Sequence, residues 1–503
     1  MKAFFRISVL TLMSIVLMSC TTNSTISTAL PKQAFLRNAQ QQVAYEVDTL
    51  LNNAPTEMGW WGVKIQYANS GEVIYERNPA KMFMPASNMK MYTTAAALCM
   101  LGPQYKYATD FVTDGTLENG KLTGNLIIKG SGDPSWSWRF YDKNYDSVMV
   151  CFVDSLKALG ITEIDGGIIG DDNVFDDEAL GYGWSWDDET YYYAAQLSGL
   201  SYSENYIDYI VKPDTLNIGS PVIIEPHPKT NYMNLRNDLI TVSSDSSTKW
   251  DYGRDRMTNN AWMEGDYRLE KGEGETTITV HNPTLFTTFV LKERLEEAGI
   301  SVSGNAIDAD DLKDSVIYAT TKKLFTYYSH PMSDIISKVN RPSQNFIAET
   351  LQKTLGSEFG EEGSSREGRK VQKALYDSLG MDTRNLQLRD GSGLSRHNLV
   401  SPNTSTSLLQ MMWDHPYRTY YIESFPLASR TGTIRKRMFG SSAEANVRAK
   451  TGYIGYVRSL SGYTWTQSGE PIIFSIMVNH YTIPTWKVNN IQDQIAAKLS
   501  DLE

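Results

Sequence analysis

The chain has 503 residues, which exceeds the size that one hydrophobic core normally supports, so two or three domains are expected. Its net charge of −11 and pI near 5.2, with no basic run, exclude nucleic acid or another polyanion as the main partner. Hydrophobic residues make up 41% of the chain, which indicates folded structure along most of its length.

The first residues have the pattern of a secretory signal. Lys2 and Arg6 precede an apolar run that is too short to span a bilayer. The run ends in Leu-Met-Ser-Cys at Cys20, which resembles a bacterial lipoprotein box. Residues 1–20 are therefore predicted to be a lipoprotein signal peptide, with Cys20 as the lipidation site and a Ser/Thr-rich tether over 21–33. The alternative is an ordinary signal in which this cysteine is incidental. The protein is expected in the periplasm, anchored to the inner or the outer membrane.

Periodicity predicts mixed helices and strands at the start of the mature chain. A helix is expected over 34–52, a strand over 59–65 and a buried helix over 85–101. Ser87 lies at the first turn of this last helix, and Lys90 shares its face because it follows three residues later.

The middle of the chain consists of short β-rich pieces separated by Gly and Asn turn signals. Strands are predicted at 126–129, 167–170, 206–211, 222–225 and 276–281, and helices at 146–159 and 285–298. Cys99 and Cys151 have apolar neighbours and are expected to be buried free thiols.

The last third returns to alternating helices and strands. Helices are predicted at 332–339, 346–355 and around 491–499, and strands within 447–460 and at 472–478. The expected fold class is α/β (α+β), with one domain formed by residues 34–104 and 320–503 and interrupted by a β-rich insertion over 105–319.

Three short motifs occur in a fixed order. They are a Ser-x-x-Lys at Ser87, a Ser-x-Asn at Ser343 and a Lys-Thr-Gly at Lys450. At average composition a Ser-x-x-Lys arises by chance about twice in such a chain, and a second copy begins at Ser246, whereas a Lys-Thr-Gly is expected only about 0.1 times. Taken alone, Ser87 would be read as a helix N-cap. The ordered trio instead indicates an active-site-serine enzyme.

A serine nucleophile needs a base, and Lys90 is the candidate for that role. The six histidines are scattered and form no recognised catalytic motif. Lys90 can accept a proton near neutral pH if its pKa is lowered by burial and by a second cation, which Lys450 would supply.

The other motif residues have roles that follow from their chemistry. Ser343 can relay a proton to the leaving group, and the Asn345 amide can hold the substrate backbone or Lys90. The substrate-binding strand is predicted to consist of Lys450, Thr451, Gly452 and Tyr453. Lys450 and Thr451 would bind a carboxylate, Gly452 would allow close approach, and the backbone amides of Ser87 and Tyr453 would form an oxyanion hole.

Beyond the trio, four stretches carry a closer resemblance: 130–134, 183–188, 390–396 and 449–452. With the long gap between the first two motifs, they resemble class C low-molecular-mass penicillin-binding proteins, the D-alanyl-D-alanine carboxypeptidase/endopeptidase family. Two departures are Tyr453, where the family usually has a small hydroxyl residue, and Arg430 in a loop that resembles the family's Gly-Thr loop.

The resemblance implies a serine β-lactamase/DD-transpeptidase-like catalytic domain. It also implies a penicillin-sensitive serine DD-peptidase that cleaves D-Ala-D-Ala ends, D-Ala-diaminopimelate cross-links or both in peptidoglycan stem peptides, through an acyl-enzyme on Ser87. Asp390 and Ser392 would then form a substrate-binding wall. β-Lactams would be covalent inhibitors, and no cofactor or metal is implied.

Other functions remain open at this point. A β-lactamase or esterase would share the trio but deacylate quickly, and an inactive peptidoglycan-binding scaffold would keep the fold alone. The aromatic stretch over 184–193 is expected to pack between domains, with a sugar-binding face as the alternative. The acidic residues around 171–177 are expected to be a solvated loop, since their spacing fits no metal-binding loop.

Overall fold

The computed structural model describes residues 32–503. The predicted signal peptide, Cys20 and nearly all of the predicted tether lie outside the described residues. Within 32–503, no helix combines the length and the apolar character needed to cross a membrane.

Ten α-helices occur in the described part of the chain. They are α1 (Lys32–Asn52), α2 (Met89–Leu101), α3 (Ser147–Ala158), α4 (Pro283–Glu297), α5 (Met332–Asn340), α6 (Asn345–Phe359), α7 (Ser365–Ser378), α8 (Pro402–Asp414), α9 (Arg418–Glu423) and α10 (Thr485–Ser500).

The same residues form twenty strands. They are β1 (Trp60–Tyr67), β2 (Val73–Arg77), β3 (Ala108–Thr113), β4 (Leu117–Glu118), β5 (Lys121–Leu122), β6 (Leu126–Lys129), β7 (Glu163–Ile164), β8 (Ile168–Asp171), β9 (Tyr206–Lys212), β10 (Ile223–His227), β11 (Asn234–Val242), β12 (Lys249–Arg254), β13 (Asn260–Arg268), β14 (Gly274–Thr279), β15 (Ser301–Val302), β16 (Ala306–Asp308), β17 (Lys322–Tyr328), β18 (Arg448–Ile454), β19 (Val457–Trp465) and β20 (Pro471–Asn479).

The two ends of the chain build one antiparallel sheet in the order β18-β19-β20-β1-β2. Every residue of β20 is buried, as expected for a continuous apolar strand covered on both faces. One face packs against α1 and α10, and the other packs against a helical layer that contains α2, α5, α6 and α8. This order leaves β18 at the sheet edge, beside the start of α2.

The insertion has its own core and four sheets, of three to five strands each. Their strand orders are β16-β8-β6-β3-β17, β15-β7-β5-β4, β10-β9-β14 and β11-β13-β12. The aromatic side chains of Phe111, Trp136 and Phe152 pack together in this core, with α3 and α4 against the sheets. Because β17 pairs antiparallel with β3, residues 322–328 belong to a sheet of the insertion. We therefore propose a boundary near residue 329 instead of 319.

The predicted elements are found at or near their expected positions, including the strand at 126–129 and the closing helix. The sequence reasoning did not place the strands β2–β5, β7, β11–β13 and β15–β17 or the helices α7, α8 and α9. The prediction for Cys151 is wrong: its side chain is exposed, because it lies on the outer face of the amphipathic helix α3, while Cys99 is partly buried. Both are free thiols.

Candidate active site

Ser87 lies on a short 3-10 turn over Ala86–Asn88 that leads into α2. The turn is held against β18 and β19: the Ser459 hydroxyl donates to the Pro85 carbonyl oxygen at 2.7 Å. A Cβ on Gly452 would lie 2.4 Å from that same oxygen. Gly452 therefore permits the contact between β18 and the Ser87 turn, and the close approach of substrate at this residue stays a prediction.

The Lys90 amine is the centre of the site. Its Nζ lies 2.9 Å from Ser87 Oγ, 2.6 Å from Asn345 Oδ1 and 2.7 Å from the Ser392 carbonyl oxygen, and the side chain is fully buried. In the neutral amine, two N–H groups can donate to the two carbonyl oxygens. The lone pair then remains for the proton of the Ser87 hydroxyl.

Burial is the main reason that Lys90 can be neutral near physiological pH. Removal from water disfavours the ammonium form and lowers the pKa of Lys90 to about 7, against the opposing charges of Asp390 and Glu349. The sequence assigned part of this effect to Lys450. Burial, and after it repulsion by the Lys90 ammonium, hold the pKa of Lys450 well below its usual value. Because repulsion between two ammonium groups is mutual, the predicted influence of Lys450 on Lys90 acts in the same direction as burial.

Lys450 projects from β18 towards the second motif. Its Nζ donates to Ser343 Oγ at 2.8 Å and to the Thr451 carbonyl oxygen at 2.8 Å, and its side chain is fully buried. Ser343 has a φ of 68°, in the left-handed region that non-glycine residues rarely adopt. Such strain is found where the surrounding structure fixes a functional side chain. The Thr451 hydroxyl contacts that of Thr433 at 2.7 Å.

Asn345 joins the site to the insertion. It begins α6, where its Oδ1 accepts from Lys90, while its Nδ2 donates to the carbonyl oxygen of Tyr193 at 2.7 Å. The aromatic stretch over 184–193 packs between the domains as predicted, since the Trp184 indole N–H donates to Asp390 Oδ2 at 3.0 Å. Tyr193 and its neighbour Tyr192 also line the catalytic cavity, so the insertion supplies part of its wall.

The predicted substrate contacts of Asp390 and Ser392 do not fit their positions, because both side chains are buried inside their loop. Asp390 accepts from the backbone N–H of Gly393 at 2.7 Å and of Ser395 at 2.5 Å. Ser392 contributes its carbonyl oxygen to Lys90. The loop approaches the Ser87 turn closely, because a Cβ on Gly393 would lie 1.9 Å from the Ala86 carbonyl oxygen.

Glu349 is a positioning residue that the sequence analysis missed. Its carboxylate accepts from the backbone N–H of Gly391 at 2.8 Å and of Ser392 at 2.7 Å. Burial and the charge of Asp390 raise the pKa of Glu349. A signal was present, since Glu349 follows Asn345 by one helical turn and so faces the same side of α6.

These groups open into a cavity of about 730 Å³. Of the predicted site residues, Ser87, Ser343, Asn345, Thr451 and Tyr453 line it. Charged side chains of both signs also line it: Asp188 and Arg396, which lie in stretches that carry the family resemblance, and Arg435 and Arg458, which sequence reasoning missed. The Arg458 guanidinium lies over the Tyr453 ring, 5.7 Å from its centroid. The site thus combines a serine, an amine whose pKa is lowered to about 7 and cations that can bind a carboxylate.

Comparison with known proteins decides the family. The D-Ala-D-Ala carboxypeptidase 3 (S13) family matches residues 43–502 of the chain. The chain belongs to this family. The prediction of a low-molecular-mass class C penicillin-binding protein is confirmed, as are its α/β fold and its enzyme class, a serine-type D-Ala-D-Ala carboxypeptidase. The predicted class of reaction, DD-peptidase cleavage in peptidoglycan, is confirmed as well.

Two curated relatives and one solved structure are similar over most of the chain. The D-alanyl-D-alanine carboxypeptidase of Actinomadura sp. strain R39 is 29% identical over 91% of this chain and 84% of its own length. The carboxypeptidase DacB of Haemophilus influenzae is 26% identical over 82% of this chain and 84% of its own length. The crystal structure of penicillin binding protein 4 from that organism has a TM-score of 0.76 and 25% identity, and the match covers 90% of this chain and 97% of that one.

Proposed function

We propose that Ser87 is the nucleophile of a peptidase that cleaves both D-Ala-D-Ala ends and D-Ala-diaminopimelate cross-links through an acyl-enzyme. The observation that carries this assignment is the 2.9 Å contact between Ser87 Oγ and Lys90 Nζ. The buried amine has two fixed acceptors for its N–H groups and one free position, which faces the serine. This is the arrangement that a general base requires.

In acylation, Ser87 Oγ bonds to the carbonyl carbon of the penultimate D-Ala, and the serine proton passes to Lys90 Nζ. The carbonyl oxygen becomes an oxyanion that accepts from the backbone N–H groups of Ser87 and Tyr453. The position of β18 at the sheet edge supports this role for Tyr453, because the acyl strand of the substrate can add along that edge.

Collapse of this intermediate breaks the carbon–nitrogen bond and requires a proton on the leaving nitrogen. Ser343 Oγ supplies that proton and is replenished from Lys450, which lies 2.8 Å away. Lys450 and Thr451 hold the carboxylate of the leaving residue, and this negative charge favours the ammonium form of Lys450. Lys90 then releases the serine proton to solvent and Lys450 regains one from solvent, which restores both groups. Water attacks the ester and its proton passes to Lys90, which gives that proton to Ser87 Oγ as the bond between the acyl carbon and Oγ breaks.

β-Lactams are expected to acylate the same serine, because the strained amide resembles the peptide bond that Ser87 attacks. A solved structure of the H. influenzae penicillin binding protein 4 is complexed with a β-lactam, with 24% identity to this chain. Slow hydrolysis of the penicilloyl ester would support a DD-peptidase, whereas rapid turnover would favour the β-lactamase or esterase alternative.

The N-terminal sequence supports a periplasmic lipoprotein in which Cys20 carries the lipid. Mass spectrometry of the mature N-terminus tests this proposal. A diacylglyceryl-modified Cys20 is the expected N-terminal residue, and an unmodified Met1 or Cys20 would contradict it.

The activity is tested with two purified substrates, a monomeric pentapeptide muropeptide and a cross-linked dimer. The protein is expected to release D-Ala from the first and to convert the second to monomers. Both activities should be lost in Ser87→Ala and kept in Ser246→Ala, which removes the serine of the second Ser-x-x-Lys sequence. Binding to peptidoglycan without any product would favour the scaffold alternative and overturn the proposal.

A further inference from the structure

A second cleft lies between the insertion and the catalytic domain, with a volume of about 500 Å³. Its charged lining consists of Arg139, Asp142 and Lys143 from the insertion and Lys338, Arg341 and Arg435 from the catalytic domain. We refer to it as the basic cleft. Five cations and one carboxylate are unusual in a chain whose net charge is −11.

Most of these cations are not neutralised by the protein. Arg139 forms an ion pair with Glu204 at 2.6 Å. Within residues 32–503, the other four cations form no salt bridge; Arg341 and Arg435 donate to backbone carbonyl oxygens instead. Uncompensated cations gathered in a cleft attract an anionic ligand, because the low-dielectric walls focus their field.

The basic cleft adjoins the catalytic cavity. Pro342, Thr433 and Arg435 line both spaces. Pro342 directly precedes Ser343, and the Thr433 hydroxyl contacts that of Thr451 at 2.7 Å. The basic cleft therefore begins at the end of the site where Lys450 and Thr451 would hold the carboxylate of the leaving residue.

In both proposed reactions the leaving residue has a carboxylate that Lys450 and Thr451 would hold. The two leaving groups differ in what is attached beyond this carboxylate. Free D-Ala ends there and has nothing to place in the basic cleft. The diaminopimelate released from a cross-link remains attached to a second stem peptide, which carries further carboxylates. Arg and Lys side chains bind such groups by charge-assisted hydrogen bonds.

We propose that the basic cleft is a subsite for the carboxylate-bearing stem peptide that leaves when a cross-link is cut. The inference rests on the proposed function and adds the residues that favour the endopeptidase reaction. The sites for the two strands of the cross-link then lie on opposite sides of Ser343: the acyl strand along β18, and the leaving strand between the insertion and the catalytic domain.

The test uses the full chain with the double substitution Lys143→Glu and Lys338→Glu. Lys157→Glu, which changes an exposed lysine on α3, is the matched control. The quantity measured is kcat/KM for the cross-linked dimer divided by kcat/KM for D-Ala release from the pentapeptide monomer. We expect the double variant to lower this ratio about tenfold, the control to leave it unchanged, and added salt to lower it in the wild type.

Three results would overturn the inference. One is an unchanged ratio in the double variant while the wild type cleaves both substrates, which would leave the proposed function standing. Another is an equal fall of both activities, which would indicate a general disturbance of the site. The third concerns polyphosphate as a probe of binding. If the wild type binds a polyphosphate chain and the double variant does not, while the ratio is the same in both, the basic cleft would be assigned to an anionic polymer. A wild type that cleaves neither substrate would instead contradict the proposed function itself.

Discussion

The Asn345 side-chain oxygen lies 2.6 Å from Lys90 Nζ. This contact joins the start of α6, where Asn345 lies, to the first turn of α2, where Lys90 lies. The same amide donates to the Tyr193 carbonyl oxygen of the insertion. One side chain therefore fixes the direction of the amine and joins the two parts of the molecule. The orientation of the Lys90 lone pair depends on it.

Asn345→Ala is expected to lower the rate constant for acylation by benzylpenicillin about 100-fold, since an amine that can rotate no longer directs its lone pair at Ser87. Stopped-flow or gel-based labelling measures this rate. The control is Asn217→Ala, an exposed asparagine in the insertion that should react as the wild type does. A rate within threefold of the wild type in Asn345→Ala would refute the positioning role.

The acylation rate is expected to depend on pH in the direction set by Lys90. Burial lowers the pKa of Lys90 to about 7, so the amine is charged below that pH and cannot accept the Ser87 proton. The rate should therefore rise with pH, by about tenfold per unit below 7, and then level off. Labelling between pH 5.5 and 8.5, with folding checked by circular dichroism, measures the profile. Equal rates at both ends would contradict the assignment of Lys90 as the base.

Glu349→Ala is expected to lower the free energy of unfolding by about 2–5 kcal/mol, because it leaves the buried N–H groups of Gly391 and Ser392 without an acceptor. Acylation should slow as well, since this loop positions the carbonyl oxygen that orients Lys90. Urea denaturation and penicillin labelling provide the two measurements.

The matched controls for this variant are Glu349→Gln and Glu361→Ala. Glu349→Gln keeps one acceptor oxygen and should lose less stability than Glu349→Ala. Glu361 is exposed, so its removal should change neither quantity. Equal stability of Glu349→Ala and Glu361→Ala would show that the carboxylate does not hold the loop.

Gly393→Ala tests the close approach of this loop to the nucleophile. The new methyl group would meet the Ala86 carbonyl oxygen at 1.9 Å, and the residue has a φ of 87°. Gly272→Ala is a useful comparison, because Gly272 also has a positive φ, of 63°, but nothing lies within 4 Å of its Cβ position. Gly272 has a ψ of −151°, so backbone strain alone should cost about 1–3 kcal/mol in Gly272→Ala, with acylation unchanged. Gly393→Ala should cost more and slow acylation strongly; similar results for the two variants would argue against the clash.

Part of the catalytic domain could be predicted because the sequence signals of some of its elements are local and strong. The apolar run of β20 is buried over its whole length, and α2 ends in an unbroken apolar run over 95–101, so both stand out in the sequence. The strands β11 and β13 were missed because their outer faces alternate polar and charged residues, such as Arg236 and Glu264. A signal for α7 was available, since Ser364 caps the helix by accepting from the Glu367 N–H.

Part of the candidate site could be predicted because its sequence signals are also local. The three motifs identified Ser87, Lys90 and Lys450, because the chemistry of these residues can be inferred from the motifs without knowledge of the fold. Glu349 and the cations of the basic cleft were not predicted, because their meaning depends on which distant elements meet. The spacing of Glu349 from Asn345 indicates the side of α6 that it faces, but its role is defined only by the contacts with the loop at Gly391 and Ser392.

The most direct test of the account is to locate the acyl group after reaction with benzylpenicillin. Proteolysis and tandem mass spectrometry of the labelled full chain should place the penicilloyl adduct on Ser87, with none on Ser246. The label should disappear in Ser87→Ala and persist in Ser246→Ala. An adduct on any other residue, or a label that survives Ser87→Ala, would contradict the assignment of Ser87 as the nucleophile.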